Sequence, residues 1–290
     1  MTVVVETRAQ LAASLAPARS AGGRVALVPT MGALHGGHAA LMRTARSRVR
    51  ESGVVVASVF VNPMQFGPNE DLARYPRTFD QDLEVCRAEG VDLVFAPSVE
   101  EVYPGGEPQV TVEPGPLAQV LEGKTRPTHF HGVLTVVAKL FGIVAPDLAV
   151  FGQKDYQQLV LIRRMVSDLC MGVDVVGAET IREDGGLALS SRNRYLDEEQ
   201  RQLALTLSRA LEAGRMAGDR GGEAVLEAAR KVLGQADGVE LDYLALTSPE
   251  LGDAPESGHA RLLVAARVGT TRLIDNTGLV LGRNQQQGSN

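Results

Sequence analysis

Cysteine is nearly missing from this 290-residue sequence: Cys86 and Cys170 stand far apart, outside any CxxC or Cys/His ligand spacing. That excludes a disulfide framework and a zinc site of ordinary spacing, and makes a reducing cytoplasm the expected compartment. No run approaches the roughly 20 apolar residues that span a bilayer. The opening residues, MTVVVETRAQ, carry Glu6 and no basic segment ahead of a long apolar one, so neither a membrane span nor a signal peptide is expected. Positive charge is also short, with 29 Lys and Arg against 35 Asp and Glu, a net charge of −6. Nothing draws nucleic acid or anionic lipid in general, and any nucleotide must be held by a local cluster.

What is present is ordinary globular material, 44% hydrophobic and 22% charged, long enough for two domains at roughly 100–200 residues each. Short apolar runs alternate with amphipathic stretches through the first two-thirds. Strands are expected at Val25–Val28, Val54–Phe60, Asp92–Phe95, Leu148–Phe151 and Val173–Val176. Helices are expected at Arg8–Ser20, Gly37–Val49, Thr78–Glu89, Val133–Ile143 and Tyr156–Leu169. Continuous apolar strands alternating with helices imply an α/β fold, a Rossmann-like doubly wound parallel sheet with its ligand site beyond the strand carboxyl ends. Past Arg192 the texture changes to two helical stretches, Asp197–Ala217 and Gly222–Gln235, then strand-like runs at Val239–Leu246, Ala260–Val268 and Thr271–Asp275. The expected division is a Rossmann-like domain at 1–185, a smaller C-terminal α+β domain at 186–282 and a disordered tail at 283–290.

The segment VPTMGALHGGH, Val28–His38, lies where a buried strand should end and a helix begin. Gly32, Gly36 and Gly37 let the backbone approach a ligand, and the exposed amides of a helix start favour an anion. His35 and His38, three residues apart, share one face and can both donate to phosphate oxygens. A glycine-rich turn with two surface histidines is the plain alternative. An HxxH metal pair is disfavoured because no third ligand is apparent.

A second strand-to-helix junction is VFGQKDYQQLV, Val150–Val160. Lys154 would stand at the sheet edge as a point charge for phosphate, Asp155 could reach Mg²⁺ directly or through water, and Gln158 offers an amide one turn on. In isolation such a Lys-Asp pair reads as a solvated helix cap. The polar loop IREDGGLALSSRN, Ile181–Asn193, brings Ser190, Ser191 and Arg192, hydroxyls and a guanidinium suited to a polyphosphate. On that piece alone a simple helix start capped by Asn193 or Asp197 is the better reading. Between these segments, Asn62 and Gln65 carry neutral amides suited to a hydroxy acid, and the Pro/Gly-rich stretch Gly67–Tyr75 reads as a loop able to act as a lid.

Taken together, in this order, the segments resemble the pantothenate synthetase family. The likeness runs from about Val4 to Thr277 and takes in RPTHFHGVLTVVAKLF (Arg126–Phe141), AVFGQKDYQQL, LALSSRNRYL and GTTRLIDN (Gly269–Asn276). His35-Gly-Gly-His38 resembles the HIGH signature of the wider nucleotidyltransferase superfamily, and LSSRN stands where class I aminoacyl-tRNA synthetases carry their KMSKS loop. The resemblance implies an ATP-dependent, Mg²⁺-requiring ligase that joins pantoate to β-alanine through an acyl-adenylate, as a homodimer. It implies an ATP site made by Met31, Gly32, Ala33, Leu34, His35, Gly36, Gly37 and His38, by Gly152, Gln153, Lys154 and Asp155, and by Ile181, Leu189, Ser190, Ser191 and Arg192. His38, with His35 and Lys154, would serve catalysis. Gln65 and Gln158 would hold pantoate, with Met31, Val133, Val136 and Val137 as the apolar wall. Gln65 and Asn62 would meet β-alanine, Asp155 would lie near the metal, and Tyr75 and Arg126 are weaker candidates. The sequence departs from the family at Gly36, where a Glu is common, which puts the local helix start in question, and at Thr128, where a Gly is usual.

Other classes weigh less. An adenylyltransferase would attack with a phosphate and need a basic pocket where Gln65 and Gln158 stand. An aminoacyl-tRNA synthetase would need a basic platform for tRNA, which this charge balance does not offer. A non-catalytic ATP-binding module would release no pyrophosphate.

Overall fold

The computed structural model describes residues 1–290 except 51, 68–71, 73, 74 and 283–290. The tail expected at 283–290 and most of the loop expected as a lid therefore lie outside the described residues. The chain forms two compact units, Met1–Gln153 with Gln157–Glu179, and Lys154–Tyr156 with the described part of Thr180–Asn290.

The elements of the first unit are β1 (Val3–Val5), α1 (Arg8–Ser20), β2 (Val25–Thr30), α2 (Gly36–Val49), β3 (Val54–Val59), α3 (Phe79–Ala88), β4 (Leu93–Phe95), the short α4 (Val99–Val102) and α5 (Glu122–Thr125), α6 (His129–Val144), β5 (Leu148–Gly152), most of α7 (Tyr156–Asp168), and β6 (Asp174–Ala178). The strands form one parallel sheet in the order β1-β4-β3-β2-β5-β6. Alternation along β2 sets the layers: Ala26 and Val28 pack with Met42, Ala45 and Val49 of α2 and Cys86 of α3, while Val25 and Leu27 point to the opposite face. Burial and the nearby Asp82 charge push the Cys86 thiol up to about 11, so it packs as a small neutral hydrophobe. The strand order reverses between β2 and β5, and such a switch point opens a crevice at the carboxyl ends where doubly wound sheets take ligands.

The second unit contains α8 (Glu198–Met216), α9 (Gly222–Leu233) and an antiparallel meander of β7 (Val239–Thr247), β8 (Gly258–Val268) and β9 (Thr271–Leu281). Leu207 and Leu211 of α8 and Val225, Ala229 and Leu233 of α9 share a core with Leu262, Val264 and Ala266 of β8 and Leu273, Leu279 and Leu281 of β9. Asp197 caps α8 in a reciprocal box with Gln200, as one of the two expected caps. Among the described residues no helix is long and apolar enough to cross a membrane.

The doubly wound sheet with a smaller α+β part is as expected; the differences lie at element ends and in the short elements β1, α4 and α5, which were not expected. β1 is only three residues long and finds order by pairing with β4. Helix α6 begins at His129 rather than Val133, through Gly132, where an added Cβ would lie 2.2 Å from the Met64 carbonyl oxygen. Strand β9 runs on to Leu281 although Asn276-Thr277-Gly278 has the composition of a turn, because the ladder to β8 continues through it.

Candidate active site

The histidine turn follows directly from β2. Gly32 and Ala33 adopt left-handed φ values of 82° and 51°, and a Cβ on Gly32 would stand 2.9 Å from the Asp82 carboxylate. Glycine is therefore required at that point on both counts. Asp82, 2% exposed on α3, accepts the Ala33 N–H at 3.1 Å and the Leu34 N–H at 2.7 Å, and the Thr78 hydroxyl at 3.2 Å. The sequence reading missed Asp82, since acids in the first turn of a helix are common in their own right.

His35 is the N-cap of α2. Its Nδ1 accepts the Gly37 N–H at 3.1 Å, and His38 Nδ1 accepts the His35 N–H at 3.3 Å, which closes a reciprocal capping box. The helix thus starts at Gly36, with both imidazoles doing the capping, and the departure from the family at this position leaves the start intact. With each Nδ1 accepting, the proton of each neutral ring belongs on Nε2. The ring centroids lie 4.2 Å apart with the planes tilted at 49°, so the two imidazoles sit side by side at the helix start.

Gln65 joins this turn to a second group. It ends the 3₁₀ turn Pro63–Gln65, and its Nε2 donates to Met31 Sδ at 2.6 Å. Asn62 is 1% exposed; its Nδ2 donates to Gln65 Oε1 at 3.3 Å and to the Gly132 carbonyl at 3.0 Å, while its Oδ1 accepts the Tyr103 hydroxyl at 2.8 Å. Burial pushes the Tyr103 hydroxyl up, so it remains a donor. The chain Tyr103–Asn62–Gln65 fixes the Gln65 amide with its N–H side toward Met31. A thioether is a weak acceptor, which any substrate oxygen would displace. Val133 and, one turn on, Val136 and Val137 are buried on α6. Tyr75 meets Phe66 edge-on at 5.8 Å, and the Arg126 N–H donates to the Glu122 carbonyl.

Gly152 closes β5, and Gln153 Nε2 donates to the Gly177 carbonyl at 3.2 Å. Gln157 is buried and braces the 117–122 segment through Glu122 N and the carbonyls of Leu117 and Val120, whereas the side chain of its neighbour Gln158 is half-buried and makes no hydrogen bond among the described residues.

In the second unit, Lys154, Ser190 and Arg192 line one cleft together with Asn193, Arg272 and Asp275. Ser190 caps the short turn Ser191–Tyr195 by accepting the Arg192 N–H at 3.2 Å, and Ile181 accepts the Leu189 N–H at 2.9 Å. The Asn193 amide donates to Glu183 at 2.6 Å and to the Ala188 carbonyl at 3.1 Å, so it braces the loop rather than capping α8. Asp155 lies 4.0 Å from the Lys154 ammonium with 54% of its side chain exposed.

The fold and the turn define the class: a doubly wound α/β protein with a paired-histidine helix start at the switch point of its sheet, and a small α+β unit whose cleft gathers Lys154, Ser190 and Arg192. Within that class the chain belongs to the pantoate-beta-alanine ligase family, whose model matches residues 3–278. It is 64% identical to the pantothenate synthetase of Nocardioides sp. over 97% of this chain and 86% of that protein. It is similar to the crystal structure of pantothenate synthetase from Thermus thermophilus, with a TM-score of 0.86 and 50% identity over 96% of this chain and 99% of that one. It is also similar to pantoate-beta-alanine ligase from Francisella tularensis, solved in complex with beta-gamma ATP and beta-alanine, with a TM-score of 0.76 and 33% identity over 96% and 97% of the two chains.

Proposed function

We propose that the chain condenses (R)-pantoate with β-alanine in a reaction driven by ATP, giving pantothenate, AMP and pyrophosphate through a pantoyl-adenylate. The observation that carries this reading is the contact of Gln65 Nε2 with Met31, the first residue of the histidine turn. It sets a neutral amide suited to a hydroxy acid directly beside a pair of imidazole donors suited to phosphate.

In this account a pantoate carboxylate oxygen attacks the α-phosphorus, the bond to the bridging oxygen breaks and pyrophosphate leaves. The β-alanine amine then attacks the acyl carbon, the bond to the AMP oxygen breaks, and the amine gives up a proton. The chain forms no covalent intermediate. Its work is to align the reactants and to meet charge as it develops. His38 and His35 donate Nε2–H to phosphate oxygens, with Met31, Gly32, Ala33, Leu34, Gly36 and Gly37 as their backbone cradle. Gly152, Gln153, Lys154 and Asp155 continue the nucleotide site, Ile181 and Leu189 lie toward the adenine, and Ser190, Ser191 and Arg192 take the phosphates. Gln65 and Gln158 bind pantoate against Met31, Val133, Val136 and Val137. Gln65 also meets β-alanine, and Asn62 acts there by holding the Gln65 amide.

Mg²⁺ enters this reading as the counter-ion of ATP. Among the described residues no group of three His, Cys, Asp or Glu is placed to hold a metal. The exposed Asp155 fits an ion that rides on substrate phosphates and keeps its waters, not an all-protein cage. A cytoplasmic homodimer belongs to the same proposal, on the family resemblance.

The test is isotopic. With ¹⁸O in the pantoate carboxylate, one label should appear in the phosphate of AMP for each turnover, because the attacking oxygen leaves with AMP. AMP free of label would rule out the adenylate route.

A further inference from the structure

The stretch GTTRLIDN leads from the β8–β9 turn into β9; of its last two residues Asp275 lines the cleft described above, and neither has yet been given a role there. Alternation along a strand sends adjacent residues to opposite faces. Asp275 lies on the face that α8 and α9 cover, and Asn276 on the other.

Each holds one of the segments that line the cleft. Asp275, 4% exposed, takes both arms of Arg182, at 2.6 and 3.0 Å, in a planar two-bond pairing. Arg182 also donates to the Gly186 carbonyl at 2.9 Å and pairs by backbone with Ala188, so the carboxylate anchors the start of the loop that ends in Ser190–Arg192. Asn276, also 4% exposed, donates its Nδ2 to the Lys154 carbonyl at 2.9 Å. Its Oδ1 accepts Arg261 Nε at 2.8 Å, which fixes which way the amide points. Arg261 lies over the Tyr156 ring at 3.9 Å, and a Cβ on Gly278 would come within 3.2 Å of its Nη1. The Asp275 oxygen that accepts the Asn276 N–H at 2.7 Å links the two tethers through one peptide.

We propose that Asp275 and Asn276 are positioning residues for the nucleotide: from opposite faces of one strand they set the Lys154 main chain and the 181–192 loop at the spacing that a polyphosphate requires. The idea rests on the reading of Lys154, Ser190 and Arg192 as phosphate ligands.

Asn276→Asp separates positioning from mere packing. It keeps the size and strengthens the Arg261 contact with a full charge, but turns the tether into an oxygen facing the Lys154 carbonyl. Arg182→Lys keeps the charge opposite Asp275 and gives up the two-bond geometry. Loss of one such hydrogen bond should lower kcat/KM for ATP by about tenfold in either variant. The readout is pantoate-dependent exchange of pyrophosphate into ATP, measured well below each variant's melting temperature, with the KM for pantoate unchanged. Wild-type kcat/KM for ATP in both folded variants would overturn the proposal, and so would a pantoate KM that rises in step with the loss. An Asn276→Asp protein that does not fold leaves the decision to Arg182→Lys by the same criteria. Absence of pantoate-dependent exchange in the wild-type protein would overturn the functional reading itself, and the positioning role with it.

Discussion

Asp82 commits its carboxylate to two amides of the histidine turn, and no residue within the turn replaces that brace. A buried carboxylate accepting backbone N–H groups is a charge-assisted contact, and its removal leaves both amides unsatisfied. Asp82→Ala should therefore cost about 2–3 kcal/mol in urea denaturation and slow adenylation more than it raises the KM for β-alanine. An unchanged unfolding midpoint would show that the turn holds its shape without it. At this scale the sequence was legible where chemistry is local. His35 and His38 announce themselves by spacing beside glycines, whereas Asp82, Tyr103 and Asp275 act across long sequence separations and look, in sequence, like ordinary helix, core and strand residues.

Elements set these side chains by close approach. The start of α6 runs so near the Pro63–Gln65 turn that Gly132 leaves no room for a methyl group, while its carbonyl accepts the Asn62 amide. Gly132→Ala must push backbone against backbone, and overpacking of this kind costs about 1–3 kcal/mol. The same displacement should move Gln65, so the KM for pantoate is expected to rise while that for ATP holds. Steady-state kinetics with each substrate varied would show it, and equal effects on both KM values would count against the Gln65 assignment. The strand and helix cores were readable from periodicity and apolar runs, and α1 falls on Arg8–Ser20 as expected. Ends were not, because Gly132 in α6 and Gly278 in β9 serve partners elsewhere in the chain rather than a local turn.

For the whole molecule, strand–helix alternation was enough to foresee a doubly wound sheet, and the sheet order places the turns after β2 and β5 at its switch point. Not foreseeable was the membership of Lys154–Tyr156, whose compact packing is with the later unit although the sequence sets it between β5 and the body of α7. Membership of that kind is decided by tertiary contacts such as the Lys154 carbonyl to Asn276, which leave no periodic trace. In the proposed reaction the enzyme activates pantoate, and not an amino acid, at the α-phosphate of ATP. Exchange of labelled pyrophosphate into ATP, without β-alanine and with pantoate or each of the amino acids offered in turn, tests it most directly. Exchange with pantoate alone is the predicted result, and exchange with an amino acid but none with pantoate would contradict it.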